Sequence, residues 1–268
     1  MRRTPRTWLG NALVPVIAGL AFLYLMVPVA YTVAFSFNQA GKTNLVWRGF
    51  TLDNWKNPCG APQVCEAFVN SLQVGVLATL IATTLGTLLA LALVRFTFRG
   101  RPLVNLLIFL PMSTPEVVLG AALLAQFLSI QVPLGFGTVV AAHALFCISF
   151  VVVTVKARVA SLDPALEEAA ADLYASPFAA FWRVTFPLLL PGIAAAALLA
   201  FSLSFDDYIV TNFNSGGYTT FPKFVYVSAT RGIPPQANVI SSFMFFLALA
   251  LVIAVQVVMA GRRRRARG

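Results

Sequence analysis

The sequence predicts an all-α membrane protein with six transmembrane helices. The chain has 268 residues, of which 59% are hydrophobic and only 10% are charged, and its mean hydropathy is +0.83. Six apolar runs are each long enough to cross a hydrocarbon core of about 30 Å, which takes about 20 helical residues. One segment between two of these runs, residues 161–192, carries four acids and an arginine yet has the signals of folded helices. These observations exclude a soluble globular domain and indicate a polytopic protein with a structured element outside the bilayer.

The six apolar runs follow one another with short connections. Their approximate limits are 11–37, 68–94, 103–129, 134–155, 188–211 and 238–260. None of the intervening stretches is long enough to hold a separate soluble domain. We therefore predict a single transmembrane domain over 1–268, with its core at about 65–260 and one folded loop at about 160–187.

The basic residues predict the orientation of these helices. With the N-terminus inside, fourteen of the 19 Lys and Arg residues fall in cytoplasmic segments and five in outer segments. Cytoplasmic loops of membrane proteins are enriched in Lys and Arg close to the helix ends. Both termini and the loop at 160–187 are therefore expected in the cytoplasm. The run Arg262–Arg265 fits the same rule as an anchor at the lipid head groups, in preference to a nucleic-acid site.

Residues 161–192 are interpreted as two short helices joined by a turn. Asp163-Pro164 is a typical helix start, with Asp as the N-cap and Pro in the first turn, and Ser176-Pro177 repeats this signal. Pro187 and Pro191 predict a second break. Four alanines make the first helix thin enough for another protein to approach closely. The pair is therefore interpreted as a docking element.

Three acids in or beside the apolar runs need a partner or an aqueous path. Glu116 lies in the third run, directly after a proline, and serves either a solute pathway or the start of a restarted helix. Asp206 and Asp207 end the fifth run, where the helix dipole disfavours acids, so they are expected to meet Lys223, Arg231 or a cationic solute. An acid-lined route suits a positively charged passenger.

The remaining reactive side chains are few. Tyr208 and other aromatic residues near the outer interface belong either to an aromatic belt or to a cation–π contact with a solute. Cys59 and Cys65 share the first outer loop, where a disulfide is permitted, and Cys147 is expected to be buried packing. His143 is the single histidine, so no multi-histidine metal site is expected, and a hydrogen-bonded core position is favoured.

The sequence also lacks the motifs of common catalytic sites. It has no phosphate-binding GxxxxGK[ST], no GxSxG and no HExxH. We therefore predict that the chain is not an enzyme and that it holds no cofactor. If nucleotide drives its activity, that energy must enter through a partner.

The helix pair resembles a signature of ATP-binding-cassette importers, whose membrane subunits carry E-A-A, three residues, G, nine residues and I-x-L-P. This chain has Glu168-Ala169-Ala170, then Tyr174 in place of the usual Gly, then Val184-Thr185-Phe186-Pro187 at the same spacing. Tyr174 departs from the pattern. The difference matters at a turn, because Gly adopts a positive φ far more easily than Tyr does. In that family the element is the cytoplasmic coupling helix, which sits in a groove of the ATPase subunit. The resemblance implies an ATPase-coupling role for Glu167, Glu168, Ala169, Ala170, Asp172, Tyr174 and Pro187.

A closer resemblance, from about residue 65 onward, is to the second permease subunit of spermidine/putrescine-type importers. It rests on PMSTPEVVLG, AHALFCISFVVVTVKAR, LSFDDYIVTNF and FPKFVYVSATRGIPPQANVISS. The resemblance implies the type I importer permease fold in a bacterial inner membrane, and a polyamine route that includes Glu116, Asp206, Asp207 and Tyr208. It also implies three partners: an ATPase homodimer that binds ATP and Mg²⁺, a homologous second permease, and an extracytoplasmic solute-binding protein. The alternatives are an importer permease for another small solute and a stand-alone secondary transporter.

Overall fold

The computed structural model describes residues 5–39 and 44–265, and in this part of the chain the regular secondary structure is helical. An isolated bridge joins Asn38 and Phe50. A π-helical turn, Phe181–Thr185, separates α8 from α9. The helices are α1 (Pro5–Ser36), α2 (Asp53–Lys56), α3 (Pro62–Arg95), α4 (Arg101–Ser113), α5 (Glu116–Ser129), α6 (Phe136–Ala160), α7 (Ala165–Asp172), α8 (Pro177–Ala180), α9 (Phe186–Asp206), α10 (Ile209–Asn214), α11 (Phe221–Arg231) and α12 (Pro235–Arg265). The predicted all-α class is confirmed.

Among the described residues, five helical stretches are long and apolar enough to cross a membrane. They are Leu13–Ser36, Pro62–Arg95, Phe136–Ala160, Pro177–Asp206 and Pro235–Val257. A sixth crossing results if α4 and α5, which meet at 113°, count as one broken span. The third predicted run, 103–129, is therefore not one straight helix.

The bend between α4 and α5 lies at Thr114-Pro115. A residue that precedes proline is pushed out of the helical region by the proline ring, and Thr114 is indeed extended, at φ −83° and ψ 131°. Pro115 then takes the N-cap position of α5, so Glu116 is the first residue of the restarted helix. Pro115 thus locates the break, whereas Pro111 lies within α4.

Residues 66–226 form one compact unit, and α6 is its central helix. Thirteen residues of α6 are buried, and they share a core with small and branched side chains of α3 and α9. Gly86 of α3 lies so close to α6 that an added Cβ would stand 2.6 Å from a methyl carbon of Val151. Small residues at such contacts let helix backbones approach closely in a membrane.

A second compact unit contains residues 1–65 and 227–268, in which α1 packs against α12. The loop after α1 is organised by Asn38, whose side chain is fully buried. Its amide donates to Asn44 Oδ1 at 2.7 Å and to the Val46 carbonyl at 2.8 Å, and its Oδ1 accepts from the Arg48 N–H at 2.8 Å. The buried side-chain amide of Asn38 thus makes hydrogen bonds to three residues of an otherwise irregular loop.

The break expected at Pro187 and Pro191 is not found. Both prolines lie within α9, Pro187 in its first turn, and the chain continues as one helical stretch from Pro177 to Asp206. The irregularity falls earlier, in the π-helical turn. A proline within a helix lacks a backbone N–H donor, and the π-helical turn lies just before Pro187.

Candidate functional site

The first candidate site is the segment from Asp163 to Pro187, which contains the predicted coupling element. Asp163 Oδ1 accepts from the Ala165 N–H at 3.0 Å, as the predicted N-cap does. The helix that follows, α7, has eight residues, and Ala170 is its buried one. Glu168, Ala169 and the other residues on the outward side are exposed. This helix therefore offers most of its surface to another molecule.

Helix α7 ends in a Schellman motif with Tyr174 at the left-handed position. The Ala175 N–H donates to the Ala170 carbonyl at 3.0 Å, and the Tyr174 N–H donates to the Ala171 carbonyl at 2.9 Å. Tyr174 has φ +60°, a conformation usually given to glycine. The turn at which the importer signature has Gly thus keeps its left-handed geometry although the residue is Tyr.

Glu167 connects α7 to two other elements. Its Oε1 accepts hydrogen bonds from the Arg95 guanidinium at the end of α3 and from the hydroxyl of Thr185 in the π-helical turn. Burial raises the pKa of this carboxyl, but the hydrogen bonds from Thr185 and Arg95 outweigh it and hold the pKa below its usual range. Glu167 is therefore ionised at neutral pH, and both oxygens act only as acceptors.

Large apolar side chains project from the same segment. Leu173 is 82% exposed, Tyr174 99% and Phe178 74%. The rings of Trp182 and Phe186 pack nearby, with centroids 4.8 Å apart and planes tilted by 53°. Exposed apolar side chains of this kind are typical of contact surfaces. The exposed acids Glu168 and Asp172 and the exposed Pro187 lie in the same segment.

The second candidate site is the set of acids near the apolar helices. Glu116 is exposed at the start of α5, next to the bend. Asp206 is exposed at the end of α9. Tyr208 stacks on Tyr226, with ring centroids 4.2 Å apart. These side chains offer carboxylates and aromatic faces to an ammonium group.

Asp207 is held differently from its neighbour Asp206. Its side chain is 5% exposed, and Oδ2 lies 3.1 Å from His143 Nε2 and accepts the Thr211 N–H at 2.8 Å. His143 is 2% exposed and also contacts the hydroxyls of Ser204, at 2.8 Å, and Thr211, at 2.9 Å. Asp207 and His143 therefore join α6, α9 and α10 at the point where the chain breaks between α9 and α10.

Sequence reasoning did not anticipate this pairing. It placed His143 in a hydrogen-bonded core and expected Asp207 to meet Lys223, Arg231 or a cationic solute. No sequence pattern connected positions 143 and 207. Lys223 instead donates to Ser215 Oγ at 2.7 Å and to the carbonyl of Gly216 at 2.9 Å. The one available signal was that a buried histidine on an apolar helix needs polar partners.

The cysteines divide between the two units. Cys59 and Cys65 are joined by a disulfide between α2 and the start of α3. Cys147 is a free, buried thiol in the core around α6, where its sulfur lies 3.4 Å from the Ala200 carbonyl. Its position is that of a packing residue.

The fold and the family match together define the class of protein: a multi-pass membrane subunit of an ATP-binding-cassette importer. The chain belongs to the family described as binding-protein-dependent transport system inner membrane component, which matches residues 71–267. It is therefore a permease component of an inner membrane, and it is neither an enzyme nor a stand-alone secondary transporter.

Individual relatives lie within the same family. The spermidine/putrescine transport system permease protein PotC of Escherichia coli K12 is 34% identical over 88% of this chain and 90% of that protein. PotC of Haemophilus influenzae is 33% identical over 94% and 97%. The putrescine transport system permease protein PotI of Escherichia coli K12 is 35% identical over 85% and 84%.

Solved structures show the same fold. A chain of a bacterial transporter involved in the import of the acidic polysaccharide alginate superposes with a TM-score of 0.69 at 15% identity, over 95% of this chain and 98% of that one. The alginate transporter in complex with a pentasaccharide-bound periplasmic protein gives a TM-score of 0.62 at 19% identity, over 93% and 92%. These likenesses confirm the importer permease fold.

Proposed function

We propose that this chain is the permease subunit through which a polyamine of the spermidine/putrescine class is imported. The observation that carries the proposal is the similarity to permeases named for spermidine and putrescine transport, at 33–35% identity over 85–94% of the chain. A polyamine is a flexible chain with several ammonium groups. Its recognition requires carboxylates and aromatic faces rather than a basic pocket.

The proposed route uses the exposed acids and the tyrosine pair. Asp206 presents a carboxylate at the end of α9, and Tyr208 and Tyr226 follow as a stacked pair. Ammonium groups bind both to carboxylates and to the faces of aromatic rings. Glu116, exposed at the bend, provides a second acidic position. We assign Asp207 a structural role beside this route and not direct contact with the solute, because its oxygens already bind His143 and the N-terminus of α10.

The energy for import is proposed to come from an ATPase homodimer that binds ATP and Mg²⁺. The exposed side of α7, with Glu168 and Asp172, and the apolar side chains around Tyr174 and Phe178 are the proposed docking surface. Closure of the ATPases moves this segment, and the transporter shifts from one population of conformations to another. A homologous second permease completes the pore, and a binding protein delivers the solute on the outer side.

The proposed orientation places both termini and the coupling segment in the cytoplasm. The described residues do not include 1–4, 266–268 or Lys42, which is one of the five basic residues assigned to the outer side. The proposed orientation therefore rests on the charge bias of the sequence. The test is a single cysteine introduced in α7 of a chain whose own cysteines are replaced. A membrane-impermeant maleimide should label it in inside-out vesicles and leave it unlabelled in intact cells.

The proposal as a whole is tested by purification and transport. The tagged chain, extracted from its native membrane in mild detergent, should carry an ATP-binding-cassette ATPase and a second permease. The complex in liposomes, with its binding protein outside, should import spermidine on addition of internal ATP. A chain that purifies alone, or a complex that accumulates another solute and no polyamine, would refute the assignment.

The route is tested by removing one charge at a time. Replacing one charged hydrogen-bond partner of an ammonium group costs roughly a factor of ten in apparent affinity. Asp206→Asn should therefore raise the spermidine concentration for half-maximal import about tenfold. Glu66→Gln, which removes an exposed acid near the outer end of α3, is the matched control. Equal effects of the two changes would show that only general charge matters.

A further inference from the structure

Helix α7 is too short to be stable by itself and to transmit movement as an independent rigid element. Its eight residues form about two turns, whereas isolated helices shorter than about 12–15 residues are marginal in water. An open cavity of about 530 Å³ lies beside it, lined by Phe96, Val159, Pro164 and others, so apolar packing does not fill that side. Any movement imposed on α7 must therefore pass through specific contacts.

Glu167 makes the polar contacts that link α7 to the apolar helices. Arg95, which donates to it, is the last residue of α3, a helix of 34 residues. Thr185, which also donates to it, is 1% exposed and is the last residue of the π-helical turn that runs directly into α9. One carboxylate oxygen thus joins α7 to the ends of two long apolar helices.

The π-helical turn makes this contact more specific. A threonine inside a helix commonly bonds its hydroxyl to the carbonyl four residues before it. Thr185 instead donates to Glu167, eighteen positions earlier in the chain. Single π-helical turns are frequently found at functional sites because they cost stability within a regular helix. The bond to Glu167 anchors the end of this turn.

We propose that Glu167, together with Arg95 and Thr185, forms the joint through which movement of α7 reaches α3 and α9. Glu167 is then a positioning residue, which acts through its two partners and not by touching the ATPase or the solute. Its lowered pKa keeps it ionised throughout the physiological range, in agreement with a permanent link. The inference rests on the proposed coupling to an ATPase, and it predicts a loss of coupling rather than a loss of docking.

The test measures ATP hydrolysis and spermidine import in the same proteoliposomes. Glu167→Gln, Arg95→Gln and Thr185→Val should assemble with the ATPase and hydrolyse ATP within about twofold of the unmodified rate. Loss of one charged hydrogen bond corresponds to roughly a tenfold change in an equilibrium. Import per ATP should therefore fall by about that factor.

Matched variants separate the joint from general effects of charge and packing. Arg99→Gln removes the same charge from an exposed position four residues beyond Arg95, and Thr185→Ser keeps the hydroxyl; both should couple normally. Exchanging the charges in Arg95→Glu with Glu167→Arg should restore part of the coupling lost in either single variant. If Glu167→Gln fails to assemble, the comparison of Thr185→Val with Thr185→Ser decides.

Three results would overturn the inference. One is that Glu167→Gln and Thr185→Val leave both import and hydrolysis unchanged. Another is a proportional loss of import and hydrolysis, which would indicate docking instead of transmission. The third is an equal effect of Arg99→Gln. An unmodified complex that lacks an ATPase or imports no spermidine would refute the proposed function itself, and this is visible before any variant is made.

Discussion

The left-handed conformation of Tyr174 gives a prediction of unusual sign, because a substitution to glycine should stabilise the protein. Tyr174 has φ +60° at the end of α7, and its ring is 99% exposed. A residue with a Cβ loses about 1–2 kcal/mol in this conformation relative to glycine. Glycine in turn loses about 0.4–1 kcal/mol more on ordering. The Tyr174→Gly variant should therefore gain about 0.5–1 kcal/mol in the local stability of the turn.

The assay is amide hydrogen exchange of residues 165–175 in the purified, detergent-solubilised chain. A gain of 0.5–1 kcal/mol corresponds to roughly two- to fivefold slower exchange through local opening. Tyr174→Ala is the matched control, since it removes the ring but keeps the Cβ that opposes the left-handed conformation. It should exchange at nearly the unmodified rate.

Two results would refute this reasoning. Equal slowing in the Gly and Ala variants would show that the aromatic ring, and not the backbone, sets the stability of the turn. Faster exchange in the Gly variant would show that Tyr174 makes stabilising contacts that its exposure conceals.

Two further predictions concern stability. Gly86→Ala should lower the thermal unfolding temperature of the detergent-solubilised chain, because the new methyl would overlap Val151 and overpacking costs about 1–3 kcal/mol. Gly137→Ala has open space around it and should leave that temperature unchanged or raised; equal behaviour of the two variants would contradict the close contact. The disulfide between Cys59 and Cys65, which closes a short loop, should contribute about 2 kcal/mol. The Cys59→Ser variant should unfold at a lower temperature. The unmodified denatured chain should show one reactive thiol before reduction and three after it. Three reactive thiols before reduction would exclude the disulfide.

Hydropathy alone predicted much of the fold. The apolar runs predicted the crossing helices because a helix that crosses lipid must be apolar along its length, whatever the rest of the chain does. The third run was the exception. The proline before Glu116 indicated a restarted helix, but the 113° angle between α4 and α5 depends on what α5 packs against, and no local sequence pattern determines that angle.

The candidate site was predictable only where its geometry is local. The N-cap at Asp163 is set by a few neighbouring residues and was predicted from the sequence. The left-handed turn at position 174 was not predicted, because Tyr stands where the importer signature has Gly. The pairing of Asp207 with His143 joins two residues that lie 64 positions apart in the sequence. The bond between Glu167 and Arg95 spans 72 positions and depends on where α3 ends. Such contacts follow from the packing of helices, which a single sequence does not determine.

The π-helical turn also has a consequence for how this chain tolerates insertions and deletions. A π-helical turn holds one residue more than the α-helical turn it replaces. Downstream of it, the buried positions Leu189, Ala196, Ala200 and Ser204 form one stripe along α9. A one-residue deletion within 181–185 would tighten the turn and leave that stripe in register. The same deletion after Leu189 would rotate the remainder of the stripe by about 100° and expose it. The fold of α9 should therefore tolerate a one-residue deletion within the turn better than one within the helix that follows.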